Sequence, residues 1–179
     1  MTATTSNYNL NPITKISADE TVCAQGWPEI VKELTSRVTS GKFVVTVECY
    51  PGAPVEGIIQ ILTEAFQPTL TIKTDDLLLP EKVINELVDE YLGKDPVFGR
   101  MNQIEIVDFF DSNKLSDSRL RVSETDGLVL IVGTGASLVS SNPDLLILSE
   151  LTRWSIQKLQ RQNAIPSHYC QNNSELDMR

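Results

Sequence analysis

Histidine is almost missing: one stands in 179 residues, so the chain cannot build a zinc centre from several histidines, and nothing argues for a Ser/His/Asp triad. Cysteine is scarce as well. Cys23, Cys49 and Cys170 are odd in number, scattered and without metal-ligand spacing. That is the pattern of reduced thiols in an intracellular protein, not of a disulfide framework. Long apolar runs are absent; the longest, Leu128 to Val132, stops at Gly133, far short of a membrane span. The N-terminus lacks a basic n-region and an apolar h-region, so no signal peptide is read and a cytoplasmic protein is expected. Positive charge is in deficit, with 15 Lys+Arg against 24 Asp+Glu and a net charge of −9. An acidic surface argues against non-specific nucleic-acid binding, which needs cations to neutralise phosphates. What remains is ordinary: 41% hydrophobic and 22% charged residues describe one globular domain rather than a disordered chain.

The apolar residues that are present fall into alternating patterns. Residues 1–25 are polar and aperiodic and read as an arm. Ile30, Val31, Leu34 and Val38 recur at helical spacing after Pro28, and Gly41 follows as a stop. Lys42 to Glu48 is short and rich in β-branched residues, as a buried strand should be. Cys49-Tyr50-Pro51-Gly52-Ala53-Pro54 breaks it, and Ile58, Ile59, Leu62 and Phe66 mark a second helix. The unit repeats as strand Thr69–Lys73, the Asp75-Asp76 turn, and a helix opened by Pro80 and closed by Gly93. Asp95 to Gly99 reads as a loop and Met101 to Phe110 as a further helix. Strands at Leu128–Val132 and Leu145–Leu148 follow, then a basic helix from Leu151 to Gln162 and a polar tail, 163–179. Near-continuous apolar strands alternating with amphipathic helices predict an α/β domain over 26–162 with a largely parallel sheet. In such sheets ligands sit beyond the carboxyl ends of the strands, which directs attention to loops 49–57, 74–79, 133–143 and 149–153.

Four features there carry candidate chemistry. Gly52-Ala53-Pro54-Val55-Glu56-Gly57 is G-x-x-x-x-G between strand and helix, the place of a phosphate-binding loop. A working loop continues with Lys and Ser/Thr, which serve the phosphates and Mg²⁺; here Ile58 and Ile59 follow, and Glu56 adds negative charge. A structural turn accounts for the same glycines. Gly133-Thr134-Gly135-Ala136 begins like a dinucleotide fingerprint, but Leu138 stands at the third glycine and too few residues precede Leu145 for a crossover helix. The Rossmann reading fails, leaving a plain turn or a strand end near a ligand. Asp75 can act as a general base, and paired acids also serve as a solvated turn or cap. Arg153, Lys158 and Arg161 can clamp phosphate oxygens or form the wet face of a terminal helix. His168, beside Tyr169 and Cys170, is a poor metal ligand set.

The order of these segments resembles the nucleoside (uridine) kinase group of P-loop kinases. The matching stretches are Val44 to Gly57, Ile72 to Asp76, Leu128 to Gly135, and Asp144 to Arg161. A narrower resemblance is to the N-terminal, kinase-like segment of the large class I mannose-6-phosphate isomerases. It is carried by Gln25-Gly26-Trp27, Glu48-Cys49-Tyr50-Pro51-Gly52, Asp95-Pro96-Val97-Phe98-Gly99, Gly133-Thr134-Gly135-Ala136 and Arg153-Trp154-Ser155-Ile156-Gln157. In that group a Tyr-Pro-Gly loop takes the phosphate-loop position without its lysine, and isomerase chemistry belongs to a separate zinc-binding cupin domain. One histidine leaves no such domain within these residues.

The resemblance implies a three-layer P-loop-kinase-like domain with a sheet of about five strands and a degenerate Walker A loop. It further implies an accessory or ligand-sensing module without NTP catalysis of its own. Its anion-binding residues would be Gly52, Gly57, Gly133, Thr134, Gly135, Arg153 and Arg161. The first alternative is an active small-molecule kinase using ATP and Mg²⁺, with Asp75 as catalytic base; the second is a purely structural interaction domain. Expected partners are a phosphosugar or nucleotide ligand, and a cupin isomerase domain or further copies of the chain; no metal site, nucleic acid or membrane is expected.

Overall fold

The computed structural model describes residues 23–92, 100–162 and 164–165. The readings of 1–22, of the Gly93 stop and the Asp95–Gly99 loop, and of His168, Tyr169 and Cys170 lie outside the described residues.

Among the described residues, four parallel strands form one sheet: β1 (Phe43–Cys49), β2 (Leu70–Lys73), β3 (Leu128–Gly133) and β4 (Leu145–Ser149), in the order β2-β3-β1-β4. Helices α1 (Trp27–Arg37), α2 (Val55–Phe66), α3 (Glu81–Leu92), α4 (Ser112–Glu124), the single turn α5 (Ala136–Val139) and α6 (Arg153–Arg161) connect or flank them. Strand alternation divides the apolar side chains between the two faces. Val45, Val47 and Cys49 of β1 meet Ile58 and Leu62 of α2, with Leu34 of α1 alongside. On the opposite face Val44, Ile72, Val129 and Ile131 meet Ile84 of α3, Leu115 of α4 and Val139 of α5. The domain is therefore a three-layer α/β fold, in which each fully buried Val, Leu or Ile contributes about 1.5–3 kcal/mol. Among the described residues, no helix is long and apolar enough to cross a membrane.

The sheet order matches neither 3-2-1-4-5-6 nor 2-1-3-4-5, the two common doubly wound orders that bind dinucleotide and flavin cofactors. It still contains a switch point. The chain leaves β1 toward β2 on one side and leaves β3 toward β4 on the other, so the β1 and β3 loops diverge around a crevice.

The region after α3 corrects the reading of a helix from Met101 to Phe110. That stretch is non-helical up to a 3-10 turn at Ile106–Phe109, and the helix, α4, begins only at Ser112. Backbone pairing decides this: Leu79 N–H donates to Phe109 O at 2.9 Å and Asp111 N–H to Leu77 O at 2.9 Å. Asp111 then caps α4, its carboxylate accepting from the amides of Asn113 and Lys114 at 2.9 and 3.2 Å.

Candidate functional site

Parallel pairing in register sets Glu48, the penultimate residue of β1, beside Gly133, the last of β3. The Glu48 side chain leaves the sheet on the same face as Val44 and Thr46, toward the turn that joins β3 to α5. There its carboxylate accepts from the amide of Gly135 at 2.5 Å and from that of Ser137 at 2.8 Å. These are charge-assisted bonds to backbone donors, the arrangement by which such turns hold anions. The anion in this case is part of the chain.

The G-x-x-x-x-G loop is closed in a different way. Two of its amides turn inward on the loop itself: Ala53 N–H donates to Tyr50 O at 3.0 Å and Val55 N–H to Ala53 O at 2.8 Å. Gly52 has φ +96°, and a Cβ there would lie 2.9 Å from Ile165 Cδ1 and 3.5 Å from Ile156. Its lack of a side chain thus lets α6 and the residue beyond it pack on the loop. Gly57, by contrast, lies within α2 with open space around its missing Cβ and no unusual backbone angle. Ile58 is buried against the core where a phosphate loop would present its lysine.

Lys73 ends β2 and reaches the first turn of α2, pairing with Glu56; its Nζ also lies 3.4 Å from Asp75 Oδ2. The Glu56 hydrogen bond, opposed by partial burial and aided by Asp75, raises the Lys73 pKa above the ordinary lysine value. Asp75 is consequently half of an ion pair in a 3-10 turn, Thr74–Leu77. Thr74 packs so closely on β3 that a Cβ at Gly133, whose φ is +134°, would overlap its Oγ1.

A small cavity of about 180 Å³ opens beyond the ends of β1, β3 and β4, lined by Glu48, Cys49, Tyr50, Thr134, Leu148 and Glu150 among others. It is smaller than the 300–1,000 Å³ usual for small-molecule sites and carries two carboxylates. Burial pushes the Cys49 thiol up to about 11; a hydrogen bond to the Gly133 backbone opposes the rise, and Glu48 and Asp75 add to it. At neutral pH it is therefore a packed thiol and not a nucleophile.

The sequence candidates are thus partly gathered and partly scattered. Thr134 lines the small cavity, between Gly133 and Gly135 in the turn after β3, whereas Gly52 packs against Ile156 and Ile165, Gly57 lies within α2 and Asp75 pairs with Lys73. Arg153 and Arg161 lie on the exposed side of α6, with the Arg161 guanidinium 5.8 Å from the centre of the Trp154 ring. Asp144, matched to a kinase motif, instead ties the start of β4 to β1 by accepting from Val44 N–H at 2.7 Å. Motif reasoning passes over Glu48 and Lys73 as site residues, although each is a charged residue at the end of an apolar strand, and that is the signal that could find them. The residues present do not fit ATP with Mg²⁺: the turn amides hold Glu48, isoleucines replace the Lys-Ser/Thr pair, and the crevice is acidic. Among the described residues no group of three His, Cys, Asp or Glu side chains could hold a metal ion.

Residues 26–179 match the family described as Domain of unknown function (DUF8485), and the chain belongs to that family. No curated protein and no solved structure matches it.

Proposed function

We propose that the chain is a kinase-like accessory module that acts by assembly with other protein surfaces and not by phosphoryl transfer. The observation that carries this reading is the Glu48 carboxylate bonded to the amides of Gly135 and Ser137. A phosphate drawn to the same donors would have to displace a carboxylate already bound there and would meet its repulsion. The inward-turned amides of Ala53 and Val55 support it, as does the acidic lining of the small cavity. The resemblance to the kinase-like segment of large mannose-6-phosphate isomerases supplies a context: an accessory or ligand-sensing role beside a cupin isomerase domain, in the cytoplasm. An assembly role is favoured over ligand sensing at the strand ends because the cavity there is small and acidic for a phosphosugar.

The competing reading is an active nucleoside or sugar kinase. It draws support from Asp75, a carboxylate at a strand end paired with Lys73. Titration calorimetry with Mg²⁺-ATP and with mannose 6-phosphate, joined to an ATP turnover assay, separates the two. The accessory module gives no saturable heat with either ligand and no turnover. ATP hydrolysis or transfer that disappears in Asp75→Asn establishes the kinase instead.

A further inference from the structure

β4 ends the sheet at one edge, and its residues alternate in exposure. Leu145 and Ile147 pack on the α2 side, whereas Leu146 and Leu148 are 51% and 66% exposed on the other. The cause lies in the connection. A parallel crossover ordinarily carries a helix long enough to cover the strand it leads to, but α5 is a single turn that covers β1 and stops short of β4. The exposed row reads Asp144-Leu146-Leu148-Glu150, two leucines between two carboxylates, of which Asp144 also accepts from Val44 N–H. It runs directly into the acidic cavity, which Leu148 and Glu150 help to line. An apolar edge strand without Lys or Pro is an unprotected surface.

Three residues beyond Glu150 the chain begins α6, whose exposed side has the opposite character. Trp154 is 67% exposed with the Arg161 guanidinium beside its ring, and Arg153 and Lys158 are exposed on the same helix, in a protein of net charge −9. The other side of α6 is occupied, since Ile156 packs against Gly52. An acidic row with an apolar centre and a basic row with an aromatic centre are thus adjacent in the chain and both exposed among the described residues.

From this complementarity we infer that β4 is the docking surface for a second copy of the chain, whose α6 lays Trp154 across Leu146 and Leu148. Arg153, Lys158 and Arg161 of that copy then face Asp144 and Glu150. A two-fold axis near residues 150–152 makes the contact reciprocal, because each copy offers both the strand and the helix, as an isologous interface requires. The charges set orientation and salt dependence, and the tryptophan is the anchor. The inference deepens the assembly reading and rests on it, but it is tested without reference to nucleotide.

Sedimentation velocity of the full chain at low and high salt reads it out. A concentration-dependent dimer is expected, weakened by added salt and weakened at least about tenfold by Leu148→Glu and by Trp154→Ala. Glu150→Arg should weaken it as well and recover in combination with Arg161→Glu. All four side chains are exposed, and circular dichroism of each variant confirms that it folds. A monomer at every concentration overturns the inference, and so does a dimer indifferent to these variants. Loss in Leu148→Glu without loss in Trp154→Ala also overturns it, pointing to strand-to-strand pairing or to an unrelated partner protein. ATP turnover by a chain that still dimerises through these residues would remove the non-catalytic reading and leave the interface standing.

Discussion

The Glu48 carboxylate lies 2.5 Å from the amide nitrogen of Gly135, 87 residues away in the chain. One side chain thereby joins the end of β1 to the turn after β3 and fills the donors that a bound anion would use. Removing the carboxylate strands two partly buried amide donors, at a cost of up to about 1–3 kcal/mol each. Glu48→Ala should therefore lower stability by about 2–4 kcal/mol, and Glu48→Gln, which keeps one acceptor, by roughly half as much. Urea unfolding of the three proteins checks the order.

Gly133 and Thr74 form a second close approach at the same end of the sheet. Gly133→Ala drives a Cβ into Thr74 Oγ1, at a backbone angle that side chains rarely adopt, so a loss of about 2–4 kcal/mol is expected. Thr74→Ala removes the contacted oxygen, and the double variant should recover part of the loss. Strict additivity in a double-mutant cycle would contradict the contact.

Gly57 separates a working phosphate loop from a vestigial one. It stands in α2 with no atom within 4 Å of the place a Cβ would take, so Gly57→Ala should raise stability by about 0.5–1 kcal/mol. A thermal melt that falls instead would mean that the glycine is needed where it stands.

The elements legible in the sequence are those whose apolar residues are dense. β1 and β3 are nearly continuous runs, and Ile58 and Leu62 mark the inner side of α2 by spacing alone. α4 is not legible because its inward side is Leu115, Ser118 and Val122, a stripe with a serine in the middle on an otherwise polar helix. The 101–110 stretch carries helix-like apolar residues, but long-range pairing with 77–79 holds it in other conformations. At the site, loop glycines are visible as motifs while their reasons are not. Gly52 admits Ile156, and Gly133 admits Thr74. Glu48 cannot be read as the partner of Gly135, since nothing local in the chain encodes a contact across two strands.

Alkaline pH should expose the buried thiol. Cys49 keeps its proton up to about 11 in the fold, whereas in the unfolded chain it ionises near its ordinary value. The unfolded state then binds fewer protons, so stability falls as pH rises between those two values, by up to roughly 1.4 kcal/mol per pH unit. Lys73, its pKa raised by the hydrogen bond to Glu56, holds its proton to higher pH in the fold than in the unfolded chain, so its ion pairs add to the loss of stability once pH passes the ordinary lysine value. Unfolding curves of Cys49→Ala should show a shallower decline over the same window, and an unchanged slope would contradict the assignment.

On the proposed non-catalytic reading, Glu48 closes the crevice at the β1 and β3 ends and no phosphate binds there. The most direct measurement follows the backbone amide resonances of Gly135 and Ser137 by ¹⁵N NMR while Mg²⁺-ATP is added to millimolar concentration. Both resonances should stay in place in the wild-type protein and move on Glu48→Gln substitution alone. Saturable movement of both with nucleotide in the wild-type protein would contradict the account.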